Sequence, residues 1–293
     1  MQTWLFVLTG SVLLTAPANA RSCANPIQPP HGDIGAGMAD PGVLRWMGRY
    51  YLYATEVTED EELRCRESTD LVRWRYLGCC LGNDPALDHG MAWNPAPFYH
   101  NGRFYLYVCG PDQKHKVFAA DHPAGPFECV NPDLLDVPSL DAQPFLDDDG
   151  RLLLTYAGGT QYRECSSPVS ADGANHQLTA CKISAQDTNE WTEGSDLVKI
   201  DGAYYLSYCG NDWKSDNYQV HAARGRTIAA LEPQAGNPVI SQIAGPWVAT
   251  GCSHVVRGPD LKSWWVVFHG CTSEAAPGSG RRRHVWALPV RID

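Results

Sequence analysis

A turn glycine followed by an alternating aromatic run recurs along the chain: GRYYLY begins at Gly48, GRFYLY at Gly102, GRLLLTY at Gly150 and GAYYLSY at Gly202. A fifth run, SWWVVF from Ser263, keeps the strand and loses the glycine. Large side chains alternating after a turn are the mark of a β-hairpin with one buried face. Their return at intervals of roughly 50 residues marks a repeat architecture. Segments of that length, rich in turns and poor in helical periodicity, suit four-stranded sheets. Five such sheets set radially predict an all-β, five-bladed β-propeller with a central channel.

In a propeller the first strand of each blade lines the channel, so residues upstream of each turn acquire a common direction. About eight or nine residues before the five turns stand Asp40, Trp93, Asp141, Glu193 and His254. Three carboxylates and a histidine in register predict one shared pocket at a mouth of the channel. Asp147, Asp148, Asp149 and Asp201 instead sit directly before turn glycines, where aspartate is favoured for the turn itself. Taken singly, Asp40 and Asp141 also fit strand-start capping; the register of the whole set favours a site. Two separated carboxyl groups, one ionised and one protonated, are the chemistry of glycoside hydrolysis. A third carboxylate nearby raises the acid's pKa by repulsion. The histidine alone reads first as a satisfied structural residue, and otherwise as a sugar contact or a metal ligand.

The formal charge of −10 and pI near 5.4 exclude a polyanionic partner such as nucleic acid. Arg281-Arg282-Arg283 is the one tight basic run, and by itself it fits a solvated loop. Residues 1–20 combine an apolar core with Ala18-Asn19-Ala20, the pattern of a cleaved signal peptide. The apolar stretch is too short to span a bilayer. The expectation is a secreted monomer without membrane association, in which residues 21–293 form one propeller catalytic domain. Eleven cysteines agree with an oxidising compartment, and Cys165 and Cys181, flanking a polar insertion, are the expected local disulfide.

Ordered motifs in every blade carry a resemblance. They are ADPGVLRWMGRYYLYAT (39–55), AWNPAPFYHNGRFYLYV (92–108), SLDAQPFLDDDGRLLLTY (139–156), TEGSDLVKIDGAYYLSY (192–208), GCSHVVRGPDLKSWWVVFHG (251–270) and the closing GRRRHVWALPV. Together they resemble glycoside hydrolase family 43, five-bladed propeller enzymes that act with inversion on arabinose- and xylose-containing polysaccharides. The resemblance implies Asp40 as general base, Glu193 as general acid and Asp141 as the pKa modulator that holds the acid. Trp93 and Phe145 resemble aromatics that shape the sugar pocket. An arginine of the 281–283 run, assigned to Arg282, resembles a sugar-contacting arginine. His254 resembles a channel histidine that helps hold a hydrated calcium ion, so structural calcium is the one cofactor implied.

The chain departs from the family at Glu193-Gly194-Ser195, where a proline usually follows the glycine, and at Trp93-Asn94-Pro95 in place of Trp-Ala-Pro. It also has Gly251-Cys252-Ser253-His254 for Gly-x-Gly-His, and Asp141-Ala142 for Asp-Pro. None of these removes a carboxylate. The chain stops just after the fifth blade, without the β-sandwich of some β-xylosidases, which favours an α-L-arabinofuranosidase-like activity on a neutral polysaccharide or oligosaccharide. The alternatives are a β-xylosidase or endo-arabinanase, a retaining propeller hydrolase of a neighbouring family, and a non-catalytic carbohydrate-binding propeller.

Overall fold

The structure, a computed structural model, describes residues 25–27, 37–56, 63–82, 84–87, 91–178, 181, 191–241, 247–272 and 282–292. The segment read as a signal peptide lies outside the described residues. The rest is almost entirely β, in five antiparallel sheets. Blade one holds β1 (Met38–Trp46), β2 (Arg49–Glu56), β3 (Leu63–Ser68) and β4 (Arg75–Leu81). Blade two holds β5 (Trp93–His100), β6 (Arg103–Cys109), β7 (Lys116–Ala120) and β8 (Glu128–Asn131). Blade three holds β9 (Gln143–Leu146), β10 (Leu152–Tyr156), β11 (Gln161–Cys165) and β12 (His176–Gln177). Blade four holds β13 (Thr192–Ile200), β14 (Ala203–Gly210), β15 (Gln219–Gly225) and β16 (Glu232–Pro233). Blade five holds β17 (Trp247–Arg257), β18 (Trp264–Thr272) and β19 (Arg283–Val290).

The glycines that define the repeat sit in the turn between the first two strands of blades one to four. Gly48, Gly102, Gly150 and Gly202 have φ of +77°, +85°, +87° and +74°. In three of these turns the preceding residue (Met47, Asn101 or Asp201) is also left-handed, which is the geometry of a tight hairpin matched to strand twist. The strands they start carry the core. Leu52, Leu106, Leu153 and Leu206 are each fully buried, and the hydrophobic clusters lie between neighbouring sheets. The innermost strands neighbour one another in the cyclic order β1, β5, β9, β13, β17 and back to β1, which closes the ring.

Blade five completes itself with the N-terminal segment. Ile27 donates its N–H to the Val285 carbonyl at 2.7 Å on the open edge of β19. The Asn25 side chain grips Ala287 from both sides, donating to its carbonyl at 2.9 Å and accepting its N–H at 3.1 Å. Residues from the two ends of the chain thus share one sheet edge.

The expected Cys165–Cys181 disulfide is absent: Cys165 and Cys181 are both free thiols. The physical reason is the pleat of blade three. Cys165 packs against the core shared with blade two, whereas Cys181 lies in the core shared with blade four.

Removing the Asn25 amide leaves Ala287 with two unmet backbone groups at the closure. Asn25→Ala is expected to lower unfolding free energy by about 1–3 kcal/mol, two hydrogen bonds' worth, read as a lower denaturant midpoint. An unchanged midpoint would mean that the ring closes without this clasp.

Candidate active site

Four of the innermost strands break register at an equivalent place, and β17 slips a second time between Val248 and Gly251, at the left-handed Ala249 (φ 50°). Pairing slips between Ala39 and Gly42, between Trp93 and Ala96, between Glu193 and Asp196, and between Gly251 and His254. Inside each slip one residue is left-handed: Asp40 (φ 46°), Asn94 (44°), Gly194 (57°) and Cys252 (43°). Asp141 (58°) takes the same place just before β9, between Leu140, whose carbonyl accepts the Ala157 N–H, and Gln143, paired with Thr155. A bulge of this kind re-aims a side chain out of the pleat. Asp40 and Asp141 occupy the bulge itself. Glu193 and Trp93 stand one residue earlier, at the position of Ala39, and His254 stands two residues later, at the position of Gly42. The five residues read as equivalent are therefore offset, yet the three carboxylates still converge.

Asp40 is buried, with Arg283 Nη1 donating to Oδ1 at 3.1 Å and Oδ2 at 3.3 Å. Behind it stands His269, on β18. Its Nδ1 accepts the Asp40 amide N–H at 3.2 Å and lies 3.1 Å from Oδ1. Burial pushes the His269 pKa down, so the ring is neutral. Burial also opposes the charge on Asp40, but the guanidinium outweighs it and holds this carboxyl well below the usual carboxylate range.

Asp141 and Glu193 behave oppositely. Burial, then the charges of Glu193 and Asp40, push Asp141 well up; one oxygen, Oδ2, accepts the Gly194 N–H at 3.0 Å. Burial and the charge of Asp40 raise Glu193 as well, against two donors that favour its ionised form. Trp191 Nε1 donates to Oε2 at 2.7 Å and the Tyr218 hydroxyl to Oε1 at 2.8 Å. The Asp141–Glu193 pair thus retains a proton to higher pH than either group alone. One ionised carboxylate and one proton-bearing pair face a common mouth, which is the equipment for simultaneous general base and general acid catalysis.

Gly194 is required by contact as well as by φ. A Cβ there would stand 2.7 Å from Cys252 Sγ and 3.4 Å from Cys209 Sγ.

Three expected residues fall elsewhere. Phe145 is a core residue: it pairs with Leu153 in the sheet and meets the Tyr204 ring edge-on at 6.2 Å between blades three and four. Arg282 is exposed, and the arginine in the site is Arg283. Alternation back from the buried Ala287 and Val285 selects Arg283, so β19 already held the signal. His254 does not join the carboxylates. It lies beside Asp196, with Nδ1 3.5 Å from Oδ1. Trp93 is half-buried at the start of β5, paired with Cys109. Sequence reasoning missed His269, Tyr218 and Trp191, which lie outside the first strands' bulges. It also missed Trp213, an exposed aromatic whose ring lies under the Arg283 guanidinium at 5.2 Å.

The donors available to a channel cation are Asp196 and His254. Asp196 Oδ2 is taken by the Val255 N–H at 2.8 Å, while the buried His254 Nδ1 has no hydrogen-bond partner. One carboxylate oxygen and an orphaned imidazole nitrogen fit a cation that keeps most of its own water, as hard divalent ions do.

The family model for glycosyl hydrolases family 43 matches residues 34–293. A putative β-xylosidase from Xylanibacter ruminicola is 30% identical over 260 residues, covering 80% of this chain and 46% of the relative. The arabinoxylan arabinofuranohydrolase of Bacillus subtilis (strain 168) is 26% identical, covering 83% of this chain and 58% of the relative. The chain therefore spans about half the length of these curated relatives. The crystal structure of a thermostable family-43 glycoside hydrolase superposes with a TM-score of 0.75 at 24% identity, covering 88% of this chain and 91% of that one.

Two substitutions test the electrostatics directly. Tyr218→Phe removes a donor that favours ionised Glu193, so the Glu193 carboxyl is expected to titrate at higher pH by carbon-detected NMR. Arg283→Gln removes the cation beside Asp40, and that carboxyl is expected to move up towards or past the ordinary range. A downward shift in either would reverse the assigned cause.

Proposed function

The chain belongs to glycosyl hydrolases family 43, and on that premise we propose that it is an inverting glycoside hydrolase of arabinose- or xylose-containing plant polysaccharides or oligosaccharides. The observation that carries the reading is the split between an ionised Asp40 and a proton-bearing Asp141–Glu193 pair at one mouth of the channel. Asp40 takes a proton from water as that water's oxygen bonds to the anomeric carbon. Glu193 gives its proton to the glycosidic oxygen as the bond to the leaving group breaks. Asp141 holds the Gly194 amide, and with it the direction of Glu193, and shares with Glu193 the proton that the pair retains. Arg283 keeps Asp40 ionised and in place. Trp93, Trp191 and Trp213 offer apolar faces on which a sugar ring stacks without needing charge.

An α-L-arabinofuranosidase-like activity is favoured, with support from relatives named for arabinofuranohydrolase activity; β-xylosidase activity is the second reading, supported by the relative named for it. The implied calcium belongs with Asp196 and His254, where its charge would offset the buried Asp196 carboxylate in a structural role. Export fits the same reading, since such polymers lie outside the cell and the N-terminal apolar segment suits a signal peptide.

The test is hydrolysis of aryl α-L-arabinofuranoside and aryl β-D-xyloside beside an Asp40→Ala protein. An activated aryl leaving group masks loss of the acid but not of the base, so the variant is expected to lose about 10²–10⁴-fold in rate. NMR of the first-formed sugar is expected to show the inverted anomer. Retention of configuration, or full turnover by Asp40→Ala, would sink the mechanism.

A further inference from the structure

Behind the base lies a donor set that glycoside hydrolysis does not explain. Asp40, Cys252 and His269 each bring one ligand atom within 4.8 Å of the other two, and all three residues are buried. It is the one such group among the described residues. We propose that Asp40, Cys252 and His269 form a binding site for a thiophilic divalent cation, zinc or cadmium, whose occupation takes the base out of service.

The spacing suits that ion. Ligands bonded to a tetrahedral zinc at ordinary lengths stand roughly 3.3–3.8 Å from one another. His269 Nδ1 and Asp40 Oδ1 are already 3.1 Å apart, so the ligands need small adjustments rather than rearrangement of the sheet. The donor types also choose the ion. A thiolate, an imidazole and a carboxylate match zinc and cadmium, whereas calcium and magnesium prefer oxygen throughout. His269 Nδ1 is the nitrogen that faces Asp40, and on binding its lone pair passes from the Asp40 amide N–H to the metal.

Three different strands or strand bulges fix the donors. Asp40 and Cys252 occupy left-handed bulge positions of β1 and β17, and His269 lies on β18 with its ring stacked on Tyr218 at 5.9 Å and 9°. The Cys252 amide donates to Cys209 Sγ at 2.8 Å, which brings a second sulfur to the edge of the site. On binding, the Cys252 thiol gives its proton to solvent and the sulfur bonds to the metal, with no redox change. Two interactions oppose the ion: the Asp40 amide occupies the His269 Nδ1 lone pair, and Arg283 touches both oxygens of Asp40. The metal must take one oxygen and leave the guanidinium the other, which points to micromolar affinity rather than the tight binding of a structural zinc site.

Binding is independent of the hydrolase reading; the loss of activity rests on it. The reduced full-length protein is titrated with cadmium chloride while the sulfur-to-cadmium charge-transfer absorbance is followed in the ultraviolet. The expected result is a saturable band at one equivalent that disappears in Cys252→Ser. In His269→Gln the band should persist with affinity reduced tenfold or more. Calcium at the same concentrations should displace nothing. In parallel, zinc chloride should lower aryl-glycoside turnover at least tenfold in the wild type, reversibly with a chelator, and by less than twofold in Cys252→Ser relative to its own zinc-free rate. A band or zinc sensitivity that survives Cys252→Ser overturns the site, as does a wild type without a one-equivalent band. Absence of turnover on every glycoside would count against the hydrolase alone, because the cadmium band still decides the site.

Discussion

The structure depends on one backbone device: a left-handed residue at an equivalent place within, or just ahead of, the innermost strand of each blade. A strand in perfect register alternates its side chains between the two faces of its own sheet. No residue of it would then address the channel mouth. The bulge at Asp40, Asn94, Asp141, Gly194 and Cys252 frees one position per blade, and five blades turn five such positions towards one axis. Asp and Asn tolerate this conformation better than most side chains do, and glycine tolerates it best. Cys252 has neither excuse. A left-handed φ costs such a residue about 1–2 kcal/mol, and retained strain of this kind is most often found where a side chain must point into a site.

The electrostatics follow from that convergence. Three carboxyls buried together cannot all be charged, and proximity alone does not say which gives way. Arg283 decides it. Because β19 places its guanidinium against Asp40, the negative charge is cheapest there, and the retained proton is left to Asp141 and Glu193. Tyr218 and Trp191 then temper the acid, since each donates to a Glu193 oxygen and so keeps the proton transferable. Tyr218 also stacks on His269, which in turn takes the Asp40 amide, so Glu193 and Asp40 lean on one pair of rings.

Much of this was legible in the chain. Four glycine-led aromatic runs and a fifth without its glycine marked the number of blades, because turn chemistry and alternation are local properties that later packing does not overrule. The three carboxylates were legible because a repeat converts sequence offset into direction. The offset itself was misread by one or two residues at Trp93, Glu193 and His254, since counting back from a turn cannot see a bulge. Phe145 was misplaced for a related reason: its distance from Asp141 suits a pocket, but its pairing with Leu153 commits it to the core. His269, Tyr218 and Trp191 left no such trace. They lie on a second strand, at the entrance to a third and just ahead of a first, and only the closed ring brings them to the acid and base.

The same closure explains why the site draws on both ends of the chain. Asp40 is contributed by the first strand and Arg283 by the last, 243 residues apart, and they meet because blade five stands beside blade one. Asn25 and Ile27 then pin the N-terminal segment to β19, the strand that carries Arg283. A ring left open at this seam would keep its three-carboxylate mouth on blades one, three and four but lose the cation that favours charge on Asp40 over Asp141 and Glu193. Closing the propeller and setting the charge on Asp40 are therefore one structural event, and loosening of the blade-five edge should be felt first as a rise in the Asp40 pKa.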